Sequence, residues 1–283
     1  APHRGASWNL AQAIALGRSA LATVGATELV AVGAATFGIP TASGIELAPA
    51  IPGWEHLALH DALVAAFDCP RVVVQTDVKA AAAAESRTGA LAGAEPAIYL
   101  NLGTGLAAAI VSRGRVVHGA HGAAGEIGYN LRQQGPTGHI DAAPDDEARL
   151  EDVVSGMALA SAGTRAMGRA LSAADVFAGA DSDASLASLL SGFVRELCYH
   201  LVNLCIAVDP ARVAVGGGMT RSWSRLESPL RRALDAHVPY PPELVLAAYP
   251  LDAALIGATT LAIDQANSMD RTASRSSPNN LLT

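Results

Sequence analysis

Three places in the sequence join the end of an apolar run to residues able to do chemistry. Asp77 follows Val72-Val73-Val74-Gln75-Thr76, a β-branched run that reads as a strand. A carboxylate there can take a proton from a substrate hydroxyl, a role worth about 10²–10⁴ in rate. It can equally cap the helix that the alanines after it predict. Leu102-Gly103-Thr104-Gly105 ends a second strand-like run. Its glycines let backbone N–H groups approach a phosphate and Thr104 adds a hydroxyl, although an ordinary hairpin turn has the same composition. Val213-Ala214-Val215-Gly216-Gly217-Gly218 runs from a third strand into glycines and the start of a helix. Bare backbone at a helix start suits the phosphates or ribose of a nucleotide. Either turn alone is only a turn. Two of them, on strands far apart in the sequence, suggest one nucleotide held from two sides.

The elements that must position these residues alternate. Helical spacing covers 8–24, 57–67 and 78–90, with strands at 29–35, 71–76 and 96–102. A Gly-, Pro- and Ser-rich stretch reaching Pro52-Gly53 reads as a loop. Runs at 106–112 and 115–118, joined by Arg113-Gly114, predict a hairpin. Residues 119–129 read as a glycine-rich loop and 131–148 as an exposed polar excursion. Helices fill 150–170, 172–178 and 183–208, a strand spans 212–215, and 251–266 is a last helix. The Ser- and Asn-rich stretch from Asn267 is expected to be disordered. Strand–helix alternation predicts α/β layering.

Composition narrows the class. The chain has 283 residues, 51% hydrophobic and 16% charged, enough to bury a core without staples. A net charge of −7 offers no basic face, so a general nucleic-acid binder is not expected. No uncharged apolar run reaches the ~18 residues of a membrane span, and no basic-then-apolar leader opens the chain. Cys69, Cys198 and Cys205 are too few and scattered for a disulfide framework, so a reducing cytoplasm is the expected compartment.

The chemistry-bearing residues fall in the order of a known family. Ile51-Pro52-Gly53-Trp54 resembles an N-L-P-G-W loop, and Thr76-Asp77-Val78-Lys79-Ala80-Ala81 an N-D-A-N-A-A segment. Asn101 to Leu106 resembles an L-G-T-G-I phosphate turn, and His121 to Tyr129 a G-A-A-G-E-I-G-H loop. Leu150 to Gly156 resembles L-E-A-Y-A-S-G, Gly216-Gly217-Gly218 an adenosine-side G-G-G, and Leu255-Ile256-Gly257-Ala258 a closing-helix L-I-G-A. In this order, over about 30–265, the chain resembles the ROK family of repressors, open reading frames and sugar kinases. The resemblance implies a two-lobed α/β fold, the actin-like ATPase (ribonuclease H-like) fold. It implies an N-terminal, sugar-side lobe at 1–95, a C-terminal, nucleotide-side lobe at 96–250, a closing helix at 251–266 that returns to the first lobe, and a tail at 267–283. Carried over, Asp77 would be the catalytic base, and Gly103, Thr104 and Gly105 would hold phosphates. Gly216, Gly217 and Gly218 would line the nucleotide, and Thr76, Glu126, Tyr129 and Glu151 would contact the sugar. ATP and Mg²⁺ are the implied cofactors, the metal held largely by phosphates and water. The resemblance also admits a homodimer.

Several positions depart from the family pattern. Tyr129 stands where the family has a zinc-binding histidine, and a cysteine-free 131–149 replaces C-x-C-G-x-x-G-C, so no structural zinc is expected. His139, Asp141, Asp145 and Asp146 could hold a hard cation weakly, but a solvated loop is the expected reading. Thr76 and Lys79 replace asparagines. Lys79 is expected in solvent, with Asp77 or a phosphate as its alternative partner. Ala107-Ala108-Ala109 adds methyls expected to narrow the approach of backbone to ligand. No D-x-G-x-T occurs, and the first residues align with the helix after the hairpin that carries it. The N-terminal lobe is therefore expected to be incomplete, with an open apolar sheet edge.

The leading reading is an ATP-dependent, glucokinase-like hexose kinase. The alternative is a non-catalytic sugar-sensing domain of a transcriptional regulator, for which an upstream helix-turn-helix would be the mark. A third reading is a degenerate binding or scaffold protein.

Overall fold

A computed structural model describes residues 4–26, 28–132 and 149–275, with side chains to residue 267. His139, Asp141, Asp145 and Asp146 lie outside the described residues. The chain forms two compact units, Ala1–Ala84 with Ala254–Thr283, and Glu85–Ala253.

The first unit opens with helix α1 (Gly5–Thr23), strand β1 (Val32–Thr36) and the short antiparallel pair β2 (Ile39–Pro40) and β3 (Ile45–Glu46). The stretch to Pro52-Gly53 expected as plain loop thus holds a small hairpin, and a 3₁₀ turn, Trp54–His56, follows it. Helix α2 (Leu59–Phe67) leads into strand β4 (Val72–Thr76), which pairs in parallel with β1 so that Thr36 lies opposite Thr76. Trp54, Leu59, Leu63 and Val72 form a core with Ile45 and Ala48. The Trp54 indole donates to the Thr36 hydroxyl at 2.9 Å, so its polar edge is satisfied inside that core.

Helix α3 (Asp77–Thr88) starts where β4 stops. The Thr76 hydroxyl accepts the Lys79 N–H at 3.2 Å, which is the contact of a helix cap. Val78, Ala80, Ala81, Ala82 and Ala84 are all buried, so α3 is enclosed nearly all round. Lys79 is enclosed with them at 0% exposure, which corrects the expectation of a solvated lysine. Between Val78 and Glu85 the helix is packed on nearly every side, which leaves the Lys79 side chain no route to solvent.

The second unit carries a five-stranded sheet in the order β7-β6-β5-β8-β9. Its strands are β5 (Ala97–Leu102), β6 (Leu106–Ser112), β7 (Arg115–Val116), β8 (Arg212–Gly216) and β9 (Glu243–Leu246). Strand β5 runs antiparallel to β6 and parallel to β8, and β8 runs parallel to β9. The helices are α4 (Gly156–Met167), α5 (Ala173–Gly179), α6 (Ala184–Val208) and α7 (Trp223–His237). The helix expected from 150 begins only at Gly156, because Ser155 caps it by accepting the Ala158 N–H at 3.1 Å and Leu150–Asp152 forms a separate 3₁₀ turn. Ile98, Leu100 and Leu102 of β5 pack with Leu197, Leu201 and Cys205 of α6 and Leu226, Leu230 and Leu234 of α7. By length and composition α6 is apolar enough to cross a membrane, but its Phe193–Leu197–Leu201 stripe belongs to this core. Burial pushes the Cys205 thiol up to about 12. Cys205 is therefore expected to resist iodoacetamide until denaturant opens the core, as mass spectrometry of the labelled chain will show.

The last helix, α8 (Ala253–Arg275), returns to the first unit and runs nine residues past the expected end at 266. It lies so close to α3 that a Cβ on Gly257 would strike the Ala80 carbonyl. That contact gives the Leu255-Ile256-Gly257-Ala258 segment its physical meaning: only glycine lets the two helices approach this far.

Candidate active site

The two glycine turns meet because of sheet register. Strands β5 and β8 are parallel neighbours, with Asn101 opposite Gly216. Both turns therefore leave the same end of the sheet side by side. Gly217 sits at φ +91°, and a Cβ there would strike the Leu102 carbonyl. Its N–H donates to the Pro250 carbonyl at 2.9 Å, which ties the turn to the chain beyond β9. Gly218 is different: nothing lies within 4 Å of where its Cβ would be.

The first turn is braced from behind by α4. The N–H of Gly156 donates to the Gly103 carbonyl at 2.9 Å, and that of Met157 to the Thr104 carbonyl at 3.2 Å. In a trans peptide the N–H points opposite to the carbonyl. The carbonyls of Gly103 and Thr104 face α4, so the N–H groups of Thr104 and Gly105 face away from it. Two adjacent donors presented this way, on a turn at a strand end, form a concavity suited to phosphate oxygens. The methyls of Ala107, Ala108 and Ala109 are buried along β6, at 8%, 0% and 0% exposure. They pack in the sheet and do not narrow the turn as expected.

An acidic face adjoins the same turn. The Leu106 N–H, one residue beyond Gly105, donates to Glu151 Oε2 at 2.6 Å. One carboxylate oxygen is thereby fixed and the group cannot swing. Glu126 precedes the 3₁₀ turn Ile127–Tyr129. The Leu150 N–H donates to the Asn130 carbonyl at 2.8 Å, and Leu131 bridges to Arg149, so the two 3₁₀ turns are joined. Tyr129 is 41% exposed, with the Arg149 guanidinium 4.9 Å from its ring centre. Burial pushes the Tyr129 phenol above its usual range, Arg149 opposes this, and Glu151 and Glu126 add to it. The phenol therefore stays protonated and is a donor. Gly103, Thr104, Gly105, Glu126, Tyr129, Glu151 and Gly216 to Gly218 thus belong to one region of the second unit.

Asp77 and Thr76 belong to the first unit. Asp77 is exposed at the first position of α3, and its Oδ1 accepts the Val78 N–H at 2.8 Å. Thr76, expected among the sugar contacts, is 3% exposed, with its hydroxyl engaged by the Lys79 N–H. Among the described residues no three His, Cys, Asp or Glu side chains gather as a metal site.

One carboxylate had no signal in the sequence. Glu85 is fully buried; its Oε2 accepts the N–H groups of Ala90 at 2.7 Å and Ala248 at 3.0 Å, and its Oε1 that of Tyr249 at 2.7 Å. It sits where the chain enters the second unit and fastens the segment that precedes the chain's exit from it. Two of its three donors lie 163 and 164 positions away, beyond the reach of any local pattern.

The model of the ROK family matches residues 10–265. The glucokinase of Halalkalibacterium halodurans is 30% identical over 246 residues, covering 77% of this chain and 71% of that protein. Among solved structures, the ROK hexokinase from Thermus thermophilus superposes with a TM-score of 0.77 at 27% identity, over 94% of this chain and 89% of that one. A ROK family glucokinase from Streptomyces griseus, in complex with glucose and AMPPNP, superposes with a TM-score of 0.68 at 25% identity, over 89% and 87%. The fold is the actin-like ATPase fold expected from the motifs, and the chain belongs to the ROK family.

Proposed function

We propose that this chain is an ATP-dependent sugar kinase that transfers the γ-phosphoryl group to a hexose hydroxyl. The observation that carries the reading is the pairing of β5 with β8, which sets two glycine turns side by side next to Glu126, Tyr129 and Glu151. The Thr104 and Gly105 N–H groups hold phosphate oxygens, and Gly216 to Gly218 lie along the adenosine. Glu151 keeps Oε1 for a sugar hydroxyl while Oε2 stays on Leu106, and Glu126 accepts from a second hydroxyl. Tyr129 donates its phenol proton to a ring or hydroxyl oxygen. Asp77 takes the proton of the attacking hydroxyl as its oxygen bonds to the γ-phosphorus and the bond to the β,γ-bridging oxygen breaks, with ADP leaving. Mg²⁺ would be held by the phosphates and water and would supply charge neutralisation there. The chain's own contribution is positioning and fixed donors. The glucokinase from Halalkalibacterium halodurans and the glucose and AMPPNP bound in the Streptomyces griseus relative support both the acceptor class and the nucleotide.

An ADP-release assay of the full-length protein across a hexose panel tests this. Turnover on at least one hexose is expected, and none on any sugar, with ATP and Mg²⁺ saturating, overturns it. The glycine turn offers a sharper check. Gly218→Val puts a side chain into open space beside the turn, so the melting temperature should hold while the KM for ATP rises about tenfold or more. Gly217→Ala should instead lower the melting temperature, because a Cβ there strikes backbone at positive φ. If Gly218→Val leaves the KM for ATP unchanged, the nucleotide lies elsewhere.

A further inference from the structure

Three consecutive residues beyond Tyr129 are each fastened, and two of them are fastened to α6. The Asn130 side-chain amide lies 3.3 Å from His200 Nδ1. Leu131 bridges to Arg149 through the backbone. Arg132 pairs with Glu196 at 3.5 Å, the two side chains only 21% and 23% exposed. Asn130 is the node. Its N–H donates to the Ile127 carbonyl at 2.9 Å, closing the turn that carries Tyr129. Its carbonyl accepts the Leu150 N–H at 2.8 Å, setting the start of the turn that carries Glu151. Its amide reaches the one histidine that α6 buries, at 7% exposure. Tyr199 stands edge-on to the His200 ring, with centroids 5.2 Å apart, and closes off its side.

We propose that His200 is a positioning residue for the sugar-binding face: through Asn130 it holds the Glu126–Tyr129 turn and the Glu151 turn in register. The proposal rests on the kinase reading for what that face binds, but the clamp itself does not. An amide N–H can only donate, so His200 Nδ1 accepts and the ring proton sits on Nε2. The clamp therefore requires a neutral imidazole. Burial lowers the His200 pKa from the usual range, Glu196 one turn back on α6 opposes this, and Arg132 adds to it. A histidine whose folded pKa is depressed contributes stability above its unfolded pKa and loses it as pH falls through the folded value. The clamp is thus intact at neutral pH and opens in acid, where a protonated Nδ1 has no lone pair for Asn130. The Arg132–Glu196 pair holds the neighbouring position independently.

The test uses the full-length protein with His200→Leu, Asn130→Ala and His200→Gln, the last of which restores an acceptor. The sugar KM should rise about tenfold in the first two, one lost hydrogen bond's worth, and recover in His200→Gln. Both kcat and the KM for ATP should stay within about twofold, because the glycine turns are not touched. In the parent protein the sugar KM should climb as pH falls below the ordinary histidine range, and His200→Gln should flatten that rise. A readout free of turnover is amide hydrogen exchange, expected to quicken at 127–132 and 149–152 in His200→Leu. An unchanged sugar KM in an active His200→Leu protein, or unchanged exchange at those amides, overturns the proposal. A uniform loss of kcat and both KM values, without rescue by glutamine, overturns it in favour of plain destabilisation. If the parent protein turns over no sugar yet exchange quickens as expected, the kinase reading falls and the clamp stands.

Discussion

Asp77→Ala is expected to lower kcat by about 10²–10⁴ while the fold survives. That loss is roughly 3–5 kcal/mol of barrier at about 1.4 kcal/mol per factor of ten. The expectation separates chemistry from folding because two groups share the start of α3. Asp77 Oδ1 takes the adjacent Val78 N–H, whereas the Thr76 hydroxyl takes the Lys79 N–H across a full turn. The alanine variant keeps the second contact, so thermal unfolding should move by no more than about 1 kcal/mol, the worth of one cap bond. Asp77→Asn is the sharper substitution. It keeps the shape and an oxygen for Val78 but cannot accept the proton of an attacking hydroxyl. Phosphorylation rates near the parent value in Asp77→Asn would falsify the assignment of the base. The companion change, Thr76→Ala, should do the reverse: stability falls by about 1 kcal/mol, with kcat little altered.

Glu85→Ala is expected to cost about 3–5 kcal/mol of unfolding free energy, measured by urea denaturation, without touching any residue of the proposed site. The carboxylate is fully buried and receives three backbone N–H groups, those of Ala90, Ala248 and Tyr249. A hydrogen bond to a charged group is worth about 1.5–3 kcal/mol, and each buried donor left without its acceptor adds its own desolvation cost. The bonds share one side chain, so their sum is an upper bound and the figure above is smaller. Glu85→Gln should fall between, because its amide nitrogen turns a donor toward one of the three N–H groups. A loss under about 1 kcal/mol in Glu85→Ala would show that water replaces the carboxylate at no cost and that the site is less enclosed than its geometry indicates.

Much of this protein was legible one segment at a time. The β-branched run before Asp77 and the glycine turns after β5 and β8 are local patterns, and local patterns are what backbone sterics and side-chain chemistry write into a sequence; Glu126 and Glu151 came only with the family resemblance. Their order was enough to reach the family. Errors arose where a residue's surroundings come from elsewhere in the chain. Lys79 read as solvated because a lysine near a helix start usually is, yet the packing around the middle of α3 encloses it. Ala107 to Ala109 read as crowding the phosphate turn, yet their methyls are buried along β6, because the turn ends at Gly105 and a strand begins one residue later. The helix from 150 was set too early because Ser155, rather than an earlier residue, supplies the cap.

Residue type and spacing pointed to a carboxylate at a strand end and bare backbone at two turns, and the family resemblance added two acids and a phenol. Tertiary structure decided which of them stand together. Only the parallel pairing of β5 with β8 sets Gly103 to Gly105 beside Gly216 to Gly218, and only the Leu106 N–H makes Glu151 a fixed acceptor in place of a mobile one. Glu85 and His200 carried no local signal, because their partners are brought to them by contacts between distant segments. A short-range pattern records what a residue can do; long-range packing sets where its hydrogen bonds end.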